Sequence, residues 1–368
     1  MASVDPAERA GGLYLPALDG LRFLAFGLVF IHHSSPVPLF RGMYVLRQYG
    51  WVGVELFFVI SAFLFFHLLR AEQEKTGQIS ISKFYGRRFL RLYPLMIGWP
   101  LLVSVLHGVN DPEWLGRMLG LATFTDNFIA WKDGLNFAVP FTPHLWTLSF
   151  EFQIYLVIPL AFVLATQVGD RRFAMLLGIV WLFCFGARAA VIFSNIGHPA
   201  IWVTPFLRPE TVLTGVLLSL PFMGRIPGWA YIFPATIGGA LLVIGPVPEE
   251  TSVRTLYLYP VVALFCGGMV GLTVRTRIFA SIFSVAPLRF LGKISFGLYV
   301  FHWYGLHWAN TIMAQLGHQN STDVLLYTQR IAIAFGITLA CSVVSYYAFE
   351  RWFLLLKDKL SLVKSRPI

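Results

Sequence analysis

Several ionisable side chains in this sequence stand where their neighbours are almost wholly apolar, and their spacing gives them chemical meaning. Arg22 and His33 lie in the run Leu18 to His33. Eleven residues at 3.6 per turn come to about 1100°, within roughly 20° of one helix face, and to about 16 Å along the axis. A cation near one end and an imidazole nearer the other then look into the same cavity, while His32 points about 100° away. An imidazole has the near-neutral basicity that proton transfer needs. Further on, Arg87, Arg88 and Arg91 fall within Phe84 to Pro94. Arg88 and Arg91 share a helical face, and guanidinium groups grip phosphate in a bidentate manner. Glu151 and Tyr155 share a face at i, i+4, after His144-Leu145-Trp146. Tyr299 and His302 are i, i+3 neighbours in a stretch that opens at Ser295. Glu55, Arg188 and Glu210 are also embedded in apolar runs. Taken singly, each residue has a plain structural use: an arginine snorkelling to lipid phosphate, a packed histidine, an interfacial carboxylate. Charges in apolar surroundings are costly, and so many in one chain argue for a lined polar cavity.

The elements that must position them follow from composition. Of 368 residues 57% are hydrophobic and only 12% charged, with 34 Phe, 11 Trp and a mean hydropathy of +0.69. That excludes a disordered chain, a disulfide-stapled module and an ordinary soluble enzyme. It implies an all-α polytopic membrane protein, because the apolar runs are near twenty residues rather than alternating ten-residue strands. Ten spans are expected, at roughly 16–36, 51–69, 92–108, 145–166, 173–193, 203–223, 229–246, 255–274, 294–313 and 329–354. The stretch 113–130 is too polar for a span and reads as interfacial or re-entrant. With the N-terminus inside, twenty of the 28 Lys and Arg fall on the cytoplasmic side, seven opposite, and Arg188 within a span. This bias orients both termini to the cytoplasm and accounts for the net charge of +10 without nucleic acid.

The whole chain, 1–368, reads as one transmembrane domain with short cytoplasmic tails at 1–14 and 355–368 and no attached soluble domain. The polar N-terminus lacks the pattern of a cleaved signal peptide. Cys184, Cys266 and Cys341 sit in apolar runs, read as buried packing residues, and have no metal-ligand spacing. No metal site and no permanently bound cofactor are expected.

Taken together these segments resemble the acyltransferase-3 family of membrane-bound acyltransferases, from Leu15 to Trp352. Arg22 and His33 meet the family's basic residue, ten residues, then His. Gly53 to Phe63 follows Gly-x-x-x-Phe-Phe-x-x-Ser-Gly-Phe, with Ala62 in place of the second Gly. Arg88 and Arg91 supply Arg-x-x-Arg. Trp146, Leu148, Glu151 and Tyr155 match Trp-Ser-Leu-x-x-Glu-Glu-x-Phe-Tyr, but Thr147 replaces Ser and Phe152 replaces the second Glu, so a carboxylate pair is not expected. Leu291 to Trp303 follows Leu-Gly-x-Ile-Ser-x-x-x-Tyr-x-x-His-Trp in full.

The resemblance implies a plasma-membrane enzyme, in bacteria the inner membrane. It would move an acyl group, acetyl in the simplest case, from acyl-CoA to a hydroxyl of a carbohydrate or glycolipid. His33 is the expected general base. Arg22 would hold the donor or steady negative charge, and Glu151 would orient His33 or another polar group. Arg88 and Arg91, with Arg87 beside them, would receive the CoA phosphates. Tyr155, Tyr299, His302, Ser295, Glu55, Arg188 and Glu210 are second-rank candidates for the substrates. The competing class is a transporter of a polar small molecule or lipid-linked sugar, which explains the buried charges but not the ordered motifs. Direct transfer from acyl-CoA is the simplest course, with a covalent acyl-histidine intermediate as the alternative, and the acceptor, the acyl length, the side of modification and the oligomeric state are open at this level.

Overall fold

Away from water a backbone must satisfy its own hydrogen bonds, so apolar runs of this length fold as helices. The computed structural model describes residues 14–34, 41–109, 111–134, 138–244, 251–318 and 323–363. The expected tails lie largely outside these, with Arg9, Lys364 and Arg366 among the basic residues counted above. Among the described residues there is no strand. In chain order the helices are α1 (Pro16–His33), α2 (Arg41–Tyr49), α3 (Val52–Thr76) and α4 (Ile81–His107). Next come α5 (Trp114–Ala122), α6 (Asp126–Asp133), a 3-10 turn Pro143–Leu145, α7 (Trp146–Val168) and α8 (Asp170–Phe193). They are followed by α9 (Ala200–Val203), α10 (Glu210–Leu218), α11 (Ile232–Val243), α12 (Thr255–Arg275), α13 (Arg277–Phe283), α14 (Ala286–Lys293) and α15 (Ser295–Gln315). α16 (Val324–Ser345) passes through a π-helical turn, Tyr346–Glu350, into α17 (Arg351–Lys359).

Six of these, among the described residues, are long and apolar enough to cross a membrane: Val52–Thr76, Ile81–His107, Pro143–Val168, Asp170–Phe193, Thr255–Arg275 and Val324–Lys359. Each coincides with an expected span. The other four expected spans take different forms. α1 has 18 residues, and α15 has 21, diluted by its histidines and amides. The stretch 203–223 breaks into a 3-10 turn Pro205–Leu207, α10 and a 3-10 turn Pro221–Arg225. Proline lacks the N–H a helix interior requires, and Pro205, Pro209 and Pro221 punctuate the run. The stretch 229–246 is a 3-10 turn Gly228–Tyr231 leading into the twelve-residue α11.

The outer faces are unsuited to water. Phe183 on α8 is 77% exposed and Val105 on α4 is 82% exposed, amid exposed Met175, Ile179 and Leu182. Apolar surface on this scale marks a membrane protein.

Segment 113–130 is not a span but the short helices α5 and α6, locked by a buried ion pair from Arg117 Nε to Asp126 at 2.5 Å. Arg117 also donates to the Thr142 carbonyl at 2.9 Å, which anchors the turn carrying His144.

At the centre α3 packs on α1, α7, α10 and α12, and α15 packs on α1 and α16. Gly53 makes the α1–α3 approach possible, since a β-carbon there would run into the Ala25 carbonyl oxygen. Part of the expected C-terminal tail is ordered as α17, which returns along α4, where Arg87 donates to the Leu360 carbonyl at 3.0 Å. Cys184 and Cys266 are buried and Cys341 is half-buried; none forms a disulfide.

Candidate active site

Two chambers lie end to end inside the bundle. They share Val54, Thr147 and Tyr299 as a common wall. Four helices run past that wall, and each contributes to both sides. α1 gives Asp19 and Arg22 to the first chamber and His33 to the second. Trp51, the residue just before α3, lines the second, and α3 itself gives Ser61 and Phe65 to the first. α7 gives Trp146 to the second and Glu151 and Tyr155 to the first, while α15 gives Ser295 to the first and Trp303 to the second. The shared face of Arg22 and His33 is thus continuous, but the cavity beside it is partitioned.

The first chamber encloses about 1080 Å³, its open mouth included. Among the described residues Arg22, Arg88, Arg91 and Lys357 line it, against two carboxylates, Asp19 and Glu151. Asp19 pairs with Arg22 at 3.5 Å and accepts from the Tyr14 hydroxyl at 2.8 Å. Glu151 accepts from Ser61 at 3.1 Å and from Tyr155, so two hydroxyls absorb its charge. Where the motif has a second carboxylate, Phe152 stacks on Phe124 with ring centroids 3.6 Å apart. Arg88 lies over the Phe65 ring at 3.9 Å, and its Nε has no hydrogen-bond partner among the described residues. The lining of this chamber therefore carries an excess of positive charge.

The second chamber encloses about 930 Å³, and among the described residues no Asp, Glu, Lys or Arg lines it. His32, His33, His144 and His198 do, with Trp51, Trp146, Trp202 and Trp303. His32, a hundred degrees round α1 from the face of Arg22 and His33, borders it too; its Nδ1 donates to the Arg47 carbonyl at 2.7 Å. His33 Nδ1 lies 3.0 Å from His302 Nε2, and His302 Nδ1 lies 2.5 Å from the Tyr299 carbonyl oxygen. The buried His144 ring packs 4.6 Å from His302. At the wall, Thr147 donates to the His144 carbonyl at 2.8 Å, and the Tyr299 hydroxyl meets the Thr147 oxygen at 2.7 Å. Threonine in place of the motif's serine thus keeps the hydroxyl that closes this contact.

Comparison with known proteins gives the family. The model of the family described as "Acyltransferase domain" matches residues 15–347. The chain belongs to the acyltransferase-3 family. It is 27% identical over 331 residues to the O-acetyltransferase OatA of Staphylococcus aureus (strain NCTC 8325 / PS 47), covering 82% of this chain and 52% of that protein. It is also 27% identical over 313 residues to a "Putative O-acetyltransferase SACOL0978" of Staphylococcus aureus (strain COL), covering 78% of this chain and 50% of that protein. The chain thus spans about half the length of these curated relatives. No solved structure matches it.

Within this acyltransferase domain the residues singled out from sequence divide into four groups. Arg22, Arg88, Arg91, Glu151, Tyr155 and Ser295 line the first chamber; His33 lines the second, with His302 against it; Tyr299 stands between. The rest lie elsewhere. Arg87 pairs with Glu72 at 3.1 Å. Glu55 pairs with Arg208 and accepts from Thr211 at 2.6 Å; Arg208 in turn sits among Phe150, Trp202 and Trp146. Arg188 bonds Glu210 at 2.6 Å and two backbone carbonyls, Leu207 and Leu256, tying α8 to α10 and α12. Removing one member of such a buried pair costs about 3–5 kcal/mol. Sequence reasoning passed over His144 and Lys357. His144 carried a signal, two residues before Trp146, which opens the motif; Lys357 carried none, since only the return of α17 brings it to the first chamber.

Proposed function

We propose that this protein is a membrane-embedded O-acyltransferase that moves an acyl group, acetyl in the simplest case, from acyl-CoA to a hydroxyl of a carbohydrate or glycosylated acceptor. The observation that carries the reading is the pair of abutting chambers, one cationic and one lined by histidine and tryptophan. The CoA phosphates bind Arg88 and Arg91, with Arg22 holding the donor below them. The roughly 16 Å from Arg22 to His33 suits the extended pantetheine arm, which delivers the thioester to the shared wall. A neutral acceptor enters the other chamber, where tryptophan faces suit the C–H faces of a sugar ring. His33 takes the hydroxyl proton as the oxygen attacks the thioester carbonyl. The tetrahedral intermediate collapses, the C–S bond breaks, and the departing thiolate takes up that proton. The sum is an ester and free CoA. The relatives named O-acetyltransferase support acetyl as the group.

In this reading the bundle spans the plasma membrane ten times, counting α1, α15, α11 and the broken segment around α10 beside the six long helices. Both termini face the cytoplasm, so the cationic chamber opens to cytoplasmic acyl-CoA. The test is purified protein in lipid vesicles given acetyl-CoA labelled in the acetyl group, together with candidate glycans. Label transferred in an acceptor-dependent manner is the expected result. Passage of unmodified acceptor across the bilayer, without label, would overturn the proposal in favour of a transporter.

A further inference from the structure

Building on the reading of His33 as base, we propose that His302 is a positioning residue which, anchored to the Tyr299 carbonyl, fixes His33 in the tautomer that leaves Nε2 free to take the acceptor proton. The tautomer follows from which atoms can donate. A backbone carbonyl only accepts, so the 2.5 Å contact from His302 Nδ1 to the Tyr299 oxygen requires an N–H on that nitrogen. A neutral imidazole carries one N–H, so His302 Nε2 bears a lone pair. That lone pair faces His33 Nδ1 at 3.0 Å, and the contact is a hydrogen bond only if His33 Nδ1 carries the proton. His33 Nε2 is then its unprotonated nitrogen.

The surroundings hold this arrangement. His302 is fully buried. Phe26 lies edge-on at 6.4 Å, and the His144 ring closes another side at 4.6 Å. Trp303, next along α15, lies 5.1 Å from the His33 ring, so consecutive residues of one helix flank the base. The ring-bearing titratable neighbours are His32 on α1, His144 before α7 and Tyr299 on α15. No carboxylate hydrogen-bonds His33 or His302 among the described residues. The part a carboxylate plays in a Ser-His-Asp triad, holding a histidine in one tautomer, falls here to a second histidine backed by a peptide carbonyl.

The direct test is nitrogen-15 NMR of histidine-labelled full-length protein in nanodiscs, with the His33 signals assigned by their loss in His33→Gln. The proposal expects protonated Nδ1 and unprotonated Nε2 on His33. The opposite tautomer, usual for an imidazole in water, overturns it. Kinetics supply a second measurement. His302→Leu removes the acceptor and lowers kcat about 100-fold with an unchanged KM for acetyl-CoA. His302→Gln places an amide oxygen within reach of His33 Nδ1 and restores at least a tenth of the activity. A Leu variant as active as wild type, or a folded Gln variant as poor as Leu, also overturns it. Failure of the base assignment itself would appear separately, as an active His33→Ala protein.

Discussion

The two chambers are built from the same four helices, yet their linings follow opposite rules. The first gathers four cations against two carboxylates. The second has no formally charged side chain among the described residues and is lined by imidazole and indole. In the proposed reading the difference is one of ligand, since a polyanion must be met by fixed positive charge that is worth more as water is excluded. Proton transfer instead needs a base near neutrality, and nearby fixed cations would suppress it. Keeping the arginines beyond the Val54, Thr147 and Tyr299 wall lets both demands be met in one bundle.

The sharpest way to break this contrast is His33→Ala. Transfer of labelled acetyl should fall by about 10³- to 10⁴-fold while membrane insertion and melting are unchanged. Full activity would remove the second chamber from the chemistry. Glu55→Ala should act on stability instead. It strands Arg208 beneath Trp146 and Trp202, costing about 3–5 kcal/mol in a thermal or denaturant melt. The double change Glu55→Leu with Arg208→Met should recover most of that loss, because no lone buried charge remains.

Arg88→Ala tests the first chamber alone. The KM for acetyl-CoA should rise about 10- to 100-fold with little change in kcat, matching a lost charge-assisted hydrogen bond. An unchanged KM would count against the phosphate role. Lys357→Ala should give the same signature more weakly, about threefold, because its ammonium is a point charge without the guanidinium fork and is already paired with Asp358 at 3.2 Å. The smallest effect is expected at the wall. Tyr299→Phe deletes the contact to Thr147, worth about 1 kcal/mol, and should loosen the partition so that propionyl-CoA gains on acetyl-CoA by about fivefold. No shift in that ratio would mean that the wall does not measure the acyl group.

Much of this was legible before any coordinates. The i, i+3 and i, i+4 relations of Arg88 to Arg91 and of Glu151 to Tyr155 are properties of one helix, so residue order determines them. The motif from Gly53 to Phe63 also declared itself. Its glycine lets α1 and α3 touch, and its serine reaches Glu151. Other readings needed the packing. Glu55, Arg188 and Glu210 looked like site residues because a charge in an apolar run is rare. Whether such a charge faces a cavity or a counter-ion depends on the neighbouring helix, and here each meets a counter-ion.

The amino-acid order by itself determined an all-helical membrane protein of this family, the common face of Arg22 and His33, and the cationic pair Arg88 and Arg91. These rest on composition and helical period, which act over a few residues. Tertiary structure alone decided that the shared face borders two chambers rather than one. It also brought His33 to His302 across 269 residues and folded Lys357 back toward Arg88 through the π-turn after α16. The physical reason is that a hydrogen bond or a lining depends on positions within about 3–4 Å. Between residues this far apart, only the mutual packing of whole helices sets such distances.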